Sequence, residues 1–209
     1  MNAVSFSAEL SRKVLHLSTL IFPLALLYLG KSVVLPALLL LSMLALFAEW
    51  LQLHDVKFQQ FIQRYFGFMM RAKECVWENG KLCLNGATFT LLGCTLTILL
   101  FPAPIAAAAL LISITGDAAA ALVGRKWGKY PVARTNKTLA GTLAFLLTAT
   151  LVLILFHPVP WTIGLAGALI GALVEIAPLP LNDNLRIPLI TGLSMWVLCF
   201  FTQNACAVS

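Results

Sequence analysis

One acidic residue of this sequence lies inside an apolar stretch and is followed closely by cations. Asp117 falls within the otherwise apolar segment 104–123, and five Lys or Arg residues come after it, before residue 138. A carboxylate at the centre of a bilayer costs at least ~2.5 kcal/mol, so such residues are usually kept for function. Cations and glycines beside it suit a phosphate-bearing ligand and its metal ion. The alternative is a helix-packing acid beside a positively charged anchor loop.

Further polar residues cluster at the ends of other apolar segments. In chain order they are Glu9-Arg12-Lys13-His16, Asn85-Gly86-Ala87-Thr88, Glu175 and Asn182-Asp183-Asn184. Residues three and four apart share a helical face, so the first cluster would present its charges together. Asp183 between two amides suits a hard cation or a turn, and Asn85 also suits a helix start.

The composition requires a membrane for these segments. The chain has 209 residues, of which 60% are hydrophobic and 11% are charged, and its mean hydropathy is +0.93. A soluble domain of this size has too little interior for so much apolar surface. We therefore predict one all-α domain, 1–209, with seven membrane-spanning helices. The predicted spans are 14–30, 33–53, 84–101, 104–123, 139–157, 160–177 and 187–203.

Charge orients the predicted spans. Of the 14 Lys and Arg residues, 13 fall on one side, and Lys31 alone falls on the other. The positive-inside rule then predicts a cytosolic N-terminus and a non-cytosolic C-terminus. This placement also explains the net charge of +6 without a nucleic-acid partner. The long cytosolic connection 54–85 alternates apolar and polar residues, which predicts an amphipathic helix in the headgroup region. It either gates lipid entry or ties two spans together.

The polar clusters all fall at the predicted cytosolic ends of the spans. We therefore expect one pocket near the lipid headgroups, formed by Arg12, Lys13, Asp117, Arg125, Lys137, Glu175 and Asp183. Acids that hold a divalent metal and cations that neutralise phosphate oxygens are the parts that phosphoryl transfer needs. The segment Gly124–Lys129 is not a Walker A loop, because it is one residue short between its glycines and lacks Ser or Thr after the lysine. A soluble P-loop NTPase is thereby excluded.

Five blocks of the sequence, taken in order, form a recognisable pattern. They are Arg12-Lys13-x-x-His16, Asn85-Gly86-Ala87-Thr88, Gly116-Asp117 with Gly124-Arg125-x-x-Gly128-Lys129, Lys137-Thr138-x-Ala140-Gly141-Thr142 and Asp183-Asn184-Leu185-x-Ile187-Pro188. In these blocks the chain resembles the CTP-dependent lipid-alcohol kinases. This family includes phytol kinase, dolichol kinase and CTP-dependent diacylglycerol kinase, and it is related to the phosphatidate cytidylyltransferases. Family members often have Lys-Ser where this chain has Lys137-Thr138. Dolichol kinases also carry further N-terminal spans, which disfavours a polyprenol-length substrate.

The resemblance implies transfer of the γ-phosphoryl group of CTP to a membrane lipid alcohol, an isoprenoid alcohol or diacylglycerol, with Mg²⁺. The implied catalytic residues are Asp117, Lys137, Arg12 and Lys13. Those implied for the nucleotide are Gly124, Arg125, Gly128, Lys129, Thr138, Asn85 and Asn184, and those for the metal are Asp117, Asp183 and Glu175. Asp117 would hold the metal or activate the hydroxyl.

Three other functions are compatible with parts of the sequence. A phosphatidate-type cytidylyltransferase would make a CDP-lipid, but its longer C-terminal signature is not visible. A small ion-coupled transporter would place polar residues along several spans to the far side, where this sequence has few. A membrane scaffold would not depend on Asp117. The glycine-rich sixth span permits a homodimer as readily as an internal helix contact.

Overall fold

The computed structural model describes residues 6–66, 84–132, 135, 137–179 and 181–202. Its helices are α1 (Phe6–Ser18), α2 (Ile21–Leu29), α3 (Lys31–His54), α4 (Val56–Phe66), α5 (Gly86–Leu100), α6 (Ala103–Trp127), α7 (Leu139–Phe156), α8 (Trp161–Ile176) and α9 (Asp183–Phe201). Within these ranges the only β-pairing is one isolated antiparallel bridge, between Pro131 and Thr138. The prediction of an all-α membrane protein is confirmed.

Each predicted span coincides with apolar helical structure. Five stretches are long and apolar enough to cross a bilayer, namely Glu9–Leu29 (formed by α1 and α2), α3, α6, α7 and α9. The other two helices, α5 and α8, are apolar but have only 15 and 16 residues. The count of seven spans therefore stays a prediction.

Helix α6 lies at the centre of the bundle. In its most apolar 18-residue window 78% of the residues are buried, against 17–39% in the other four long stretches. The run Ala106–Ala109 is fully buried, because small side chains let neighbouring helices approach closely. Helix α6 contacts α1, α2, α5, α7, α8 and α9, and its most extensive contact is with α7. Asp117 is thus carried by the helix that meets most of the others.

Helix α4 covers the first part of the connection that was predicted to be amphipathic. Asp55 precedes the helix and caps its start, since its Oδ1 accepts hydrogen bonds from the N–H groups of Lys57 and Phe58 at 2.8 and 3.3 Å. The apolar side chains Val56, Phe61 and Tyr65 are mostly exposed, as expected for a helix in the headgroup region. Residues 67–83 of the predicted amphipathic segment lie outside the described ranges.

A close approach at Gly93 fixes α5 against the start of α9. A Cβ added at Gly93 would lie 2.2 Å from the backbone oxygen of Asn184, and backbone cannot move aside as a side chain can. We expect Gly93→Ala to lower the stability by about 1–3 kcal/mol, as overpacking does. Thermal unfolding in detergent measures this. Gly164→Ala is the control, since its Cβ would meet only side-chain atoms of Leu153 and Val159, at 3.2 Å or more; equal losses would contradict the prediction.

Candidate active site

Polar side chains from six helices meet at one end of the bundle. Helices α1, α5 and α9 begin there, and α3, α6 and α8 end there, as the contacts among their terminal residues establish. This alternation follows from consecutive spans that run in opposite directions. The clusters that are far apart in sequence therefore come together, as the sequence analysis expected.

Asp117 is buried against the side chains of α1. Its Oδ2 accepts a hydrogen bond from Lys13 Nζ and lies 3.6 Å from His16 Nε2. Lys13 and His16 are three residues apart, so both face α6 from the same side of α1. Only 7% of the Asp117 residue is exposed, and the ion pair offsets the cost of burying the charge. The carboxylate is held in place, beside an imidazole whose Nε2 has no hydrogen-bond partner in the described ranges.

Lys137 joins two acids from different helices. Its Nζ donates to Glu175 Oε1 at 2.7 Å and to Asp183 Oδ2 at 2.8 Å. Burial by itself would lower the pKa of Lys137, but the carboxylates of Asp183, Glu175 and Asp117 outweigh burial and raise it above its usual value of 10.5. Lys137 therefore stays cationic throughout the neutral range, and the stabilisation that its charge provides is lost only when the pH rises through the raised pKa.

Local backbone structure positions Lys137. The N–H of Val132 donates to the Lys137 carbonyl at 2.9 Å, and the N–H of Leu139 donates to the Tyr130 carbonyl at 3.1 Å. These bonds fold the chain back after α6, so that Lys137 points at the ends of α8 and α9. On the other side of the acids, Arg186 donates through Nε to Asp183 Oδ1 at 2.8 Å and through Nη1 to the Ala177 carbonyl at 2.8 Å. Asp183 is thus held between two cations.

The segment Gly124–Lys129, predicted to be a phosphate-binding loop, is mostly helical. Helix α6 continues to Trp127, and the N–H of Gly128 still donates to the Gly124 carbonyl at 3.0 Å. A Cβ added at Gly128 would lie 2.6 Å from Thr138 Oγ1, and a Cβ added at Gly124 would lie 3.0 Å from the same oxygen. The glycines therefore have a packing role, because they let Thr138 cap α7 directly against α6. The helix thus continues four residues beyond 123, the predicted end of the fourth span.

Arg12 and Arg125 share one buried acid. Arg12 Nη1 lies 3.1 Å and Arg125 Nη2 lies 3.5 Å from Glu9 Oε2. Glu9 is 5% exposed, so it anchors both guanidinium groups at the mouth of the site. Lys129, by contrast, is exposed beyond the end of α6.

Asn85 and Asn184 tie the helix starts together. Asn85 caps α5 by accepting from the N–H of Thr88 at 2.9 Å, and Asn184 Nδ2 donates to Thr90 Oγ1 at 2.8 Å and to the Gly86 carbonyl at 3.1 Å. Glu49, on α3, accepts at 2.9 Å from both the Asn85 N–H and Thr88 Oγ1. Both asparagines, which were predicted to bind the nucleotide, thus form hydrogen bonds within the protein.

Removal of the Glu49 carboxylate is expected to loosen this end of α5. Glu49 is 3% exposed, and Glu49→Ala would remove the acceptor of the partly buried Asn85 N–H. It would also leave the buried Thr88 hydroxyl with only the longer bond to Asn85 Oδ1, at 3.2 Å. The expected cost is about 1–3 kcal/mol. Thermal unfolding in detergent measures the loss. Glu49→Gln, which keeps an acceptor oxygen, is the control and should lose less; if both variants match the parent protein, Glu49 does not anchor α5.

The site opens into a cavity of about 750 Å³. The predicted site residues that line it are Arg12, Lys13, Asn85, Asp117, Asp183 and Asn184. Lys137 and Glu175 do not line it, although Lys137 contacts Asp183, which does. The other predicted residues outside the lining are Gly124, Arg125, Gly128, Lys129 and Thr138. Three further residues of this end, His16, Thr90 and Glu49, were not predicted to belong to the site, although His16 and Thr90 line the same cavity. His16 could have been predicted from its position three residues after Lys13, because residues at that spacing share a helical face.

Comparison with known proteins finds two relatives matched over at least 90% of both chains and others matched over part of their length. The chain is 31% identical over 196 residues to an uncharacterized protein of Rickettsia prowazekii, covering 90% of this chain and 94% of the relative. It is 28% identical over 210 residues to CTP-dependent diacylglycerol kinase 1 of Schizosaccharomyces pombe, covering 91% and 93%. It is 33% identical over 154 residues to dolichol kinase sec59 of the same yeast, covering 64% of this chain and 29% of that protein.

The chain belongs to the CTP-dependent lipid-alcohol kinase family. The resemblance carried by the five sequence blocks is thereby confirmed. No family model matches the chain, and no solved structure does either. As a member of this family it is a membrane-embedded lipid kinase. The roles of individual residues stay predictions.

The family implies a Mg²⁺ ion, and acidic residues of the site are its potential ligands. Within the described ranges, no three His, Cys, Asp or Glu side chains form a ready metal cluster. Mg²⁺ in phosphoryl-transfer sites, however, is usually bound by one or two carboxylates together with substrate phosphates. Glu175 Oε2 is buried and has no hydrogen-bond partner in that part of the chain, close to the carboxylate of Asp183. These oxygens fit Mg²⁺ when the phosphates complete its shell.

Proposed function

We propose that the protein transfers the γ-phosphoryl group of CTP to the hydroxyl of a membrane lipid alcohol, with Mg²⁺, at the cytosolic leaflet. The observation that carries this proposal is the cavity, where Asp117 and Asp183 share one lining with Arg12 and Lys13. Acids and cations therefore face the same space. This arrangement serves phosphoryl transfer, in which positioning and charge stabilisation provide most of the catalysis.

The proposed reaction balances without any further reactant. The lipid oxygen forms a bond to the γ-phosphorus, the bond from that phosphorus to the β–γ bridging oxygen breaks, and CDP leaves. The hydroxyl proton passes to the carboxylate of Asp117, which Lys13 holds in position beside the His16 imidazole. An aspartate that accepts the substrate hydroxyl proton is a recurring part of kinase sites.

The cations are proposed to bind the phosphates. Arg12 and Lys13 line the cavity, and Arg125 stands beside Arg12 through their shared partner Glu9. Guanidinium groups bind phosphate oxygens through paired hydrogen bonds. Lys137 is proposed to neutralise charge that develops on the transferred group. The choice of CTP rests on the relative named as CTP-dependent.

Asp183 and Glu175 are proposed to hold Mg²⁺, with Asp117 nearby. The ion would neutralise phosphate charge when bound. Lys137 contacts both of these acids and keeps their charges compensated in the structure. Because Glu175 is 2% exposed, it would otherwise be a buried anion without a partner.

The excess of cations at the active-site end supports a cytosolic N-terminus and a non-cytosolic C-terminus. The lipid, the nucleotide and the bilayer are then the partners of a single domain, 1–209. A homodimer and the lack of a nucleic-acid partner stay predictions.

A direct assay tests the proposed activity. Purified protein would be incubated with CTP, Mg²⁺ and separate lipid alcohols, including diacylglycerol, phytol and a polyprenol, and the lipid fraction analysed by mass spectrometry. We expect a lipid monophosphate with at least one alcohol, and its loss when EDTA is added. Parallel incubations with ATP, GTP and UTP test the donor. No lipid monophosphate with any pairing would refute the proposal.

A further inference from the structure

The cavity at the site continues from its polar end into an apolar cleft along the bundle. The apolar cleft is formed by residues of α1, α2, α3 and α5, namely Leu15, Ile21, Phe22, Ala45, Ala48 and Leu91. Since these residues line the same cavity as Asp117, a single molecule can touch both ends. Such a molecule would need one polar end and one hydrocarbon end.

The apolar cleft is open at its side. Leu15 and Ile21 line it and are nevertheless 54% and 64% exposed. Both belong to the stretch Glu9–Leu29, which is apolar and long enough to cross a bilayer. In the membrane this opening would therefore face lipid chains rather than water. A lipid could enter sideways without passing its chain through the polar end.

Helix α3 lines the cleft with two small residues, Ala45 and Ala48. One face of α3 packs against α5, where Ser42 Oγ lies 2.8 Å from Thr95 Oγ1 and the Glu49 carboxylate accepts a hydrogen bond from Thr88. Ala45 and Ala48 are three residues apart, share a face and line the cavity. Larger side chains at these two positions would fill the space that they leave.

We propose that this cleft holds the hydrocarbon chain of the acceptor lipid, which enters past Leu15 and Ile21 and places its hydroxyl at Asp117. The proposal rests on the proposed function and adds the acceptor subsite to it. A volume of about 750 Å³ lies within the range of ~300–1,000 Å³ typical of sites for small organic ligands. The site thus takes the part of the chain nearest the hydroxyl, and the remainder extends through the opening into the bilayer. Ala45 and Ala48 limit how bulky that part can be.

Photocrosslinking tests the location of the lipid without requiring activity. The probe is a long-chain primary alcohol with a diazirine near its hydroxyl end, added to the protein in lipid nanodiscs. We expect peptides from α1–α2 and α3 to carry the label, and excess unlabelled long-chain alcohol to compete. A label concentrated on the exposed leucines of α7, such as Leu143 and Leu147, would overturn the proposal.

Steady-state kinetics test the role of the small residues. Ala48→Trp is expected to raise KM for a long-chain acceptor by about tenfold or more and to leave KM for CTP unchanged. Ala37→Trp, on an exposed position of the same helix, is the matched control and should change neither. If Ala48→Trp does not fold, Ala45→Leu provides the milder obstruction.

The outcomes separate the two proposals. If the unmodified protein phosphorylates no lipid alcohol, the proposed function fails, and the crosslinking pattern still tests the cleft. If the unmodified protein is active and both cleft variants keep its KM for the long-chain acceptor, the cleft proposal is overturned while the proposed function stands.

Discussion

Asp117→Asn is expected to reduce kcat by about 10²–10⁴-fold, the usual contribution of a positioned acid or base. The change removes the negative charge and the proton acceptor but keeps the size of the side chain. It also leaves Lys13 without its anion, and breaking a buried ion pair costs about 3–5 kcal/mol. Lys13 is 8% exposed, so this structural cost should be visible as a lower melting temperature.

The catalytic and structural effects of Asp117 can be separated. Asp117→Glu keeps the charge, and hence most of the ion pair, but displaces the carboxylate; we expect near-normal melting with much reduced kcat. Asp55→Asn is the matched control, because it makes the same change at an exposed helix cap where Asn serves as well as Asp. Activity of Asp117→Asn close to that of Asp55→Asn would leave no catalytic role for Asp117.

Lys137→Met is expected to abolish most activity and to destabilise the fold. The methionine keeps the length of the side chain but leaves Glu175 and Asp183 beside each other without the cation that joins them. The stability cost should be about 2–3 kcal/mol, below the ~3–5 kcal/mol of a fully buried pair, because the Lys137 and Asp183 side chains are 29% and 28% exposed.

A second substitution isolates the charge on the acids. In a protein that carries Lys137→Met together with Glu175→Gln, one of the two neighbouring anions is removed, so melting should recover in part while activity does not. Lys57→Met, at an exposed position of α4, controls for loss of a lysine. If Lys137→Met melts and turns over like Lys57→Met, the triad of Lys137, Glu175 and Asp183 has no function.

Much of the bundle could be predicted because it follows from local patterns. Apolar length predicted where the apolar helices lie, and the uneven distribution of cations predicted the end at which the polar residues meet. The residue at which α6 ends could not be predicted from such local patterns. Gly124 and Gly128 suggested a loop, but in the structure they allow close packing against Thr138, and this contact depends on a segment that folds back after the helix.

The pairing of charged side chains within the site also could not be predicted from the sequence. The partner of Asp117 is Lys13, 104 residues away, and Lys137 reaches Glu175 and Asp183 across 38 and 46 residues. No local spacing encodes such contacts. Glu9 was predicted only to share a helical face with Arg12, Lys13 and His16, and Glu49 was not singled out. Burial makes each of them an anchor for cations or backbone donors.

Position-labelled CTP provides the most direct test of the central claim, that this site transfers a terminal phosphoryl group to a lipid. The purified protein would receive an accepted lipid alcohol with CTP labelled at either the γ- or the α-phosphorus, and the lipid phase would be counted. The γ-label should enter the lipid in equal amount to the CDP formed, and the α-label should stay in the water phase. Entry of the α-label into the lipid would mean cytidylyl transfer and would contradict the account.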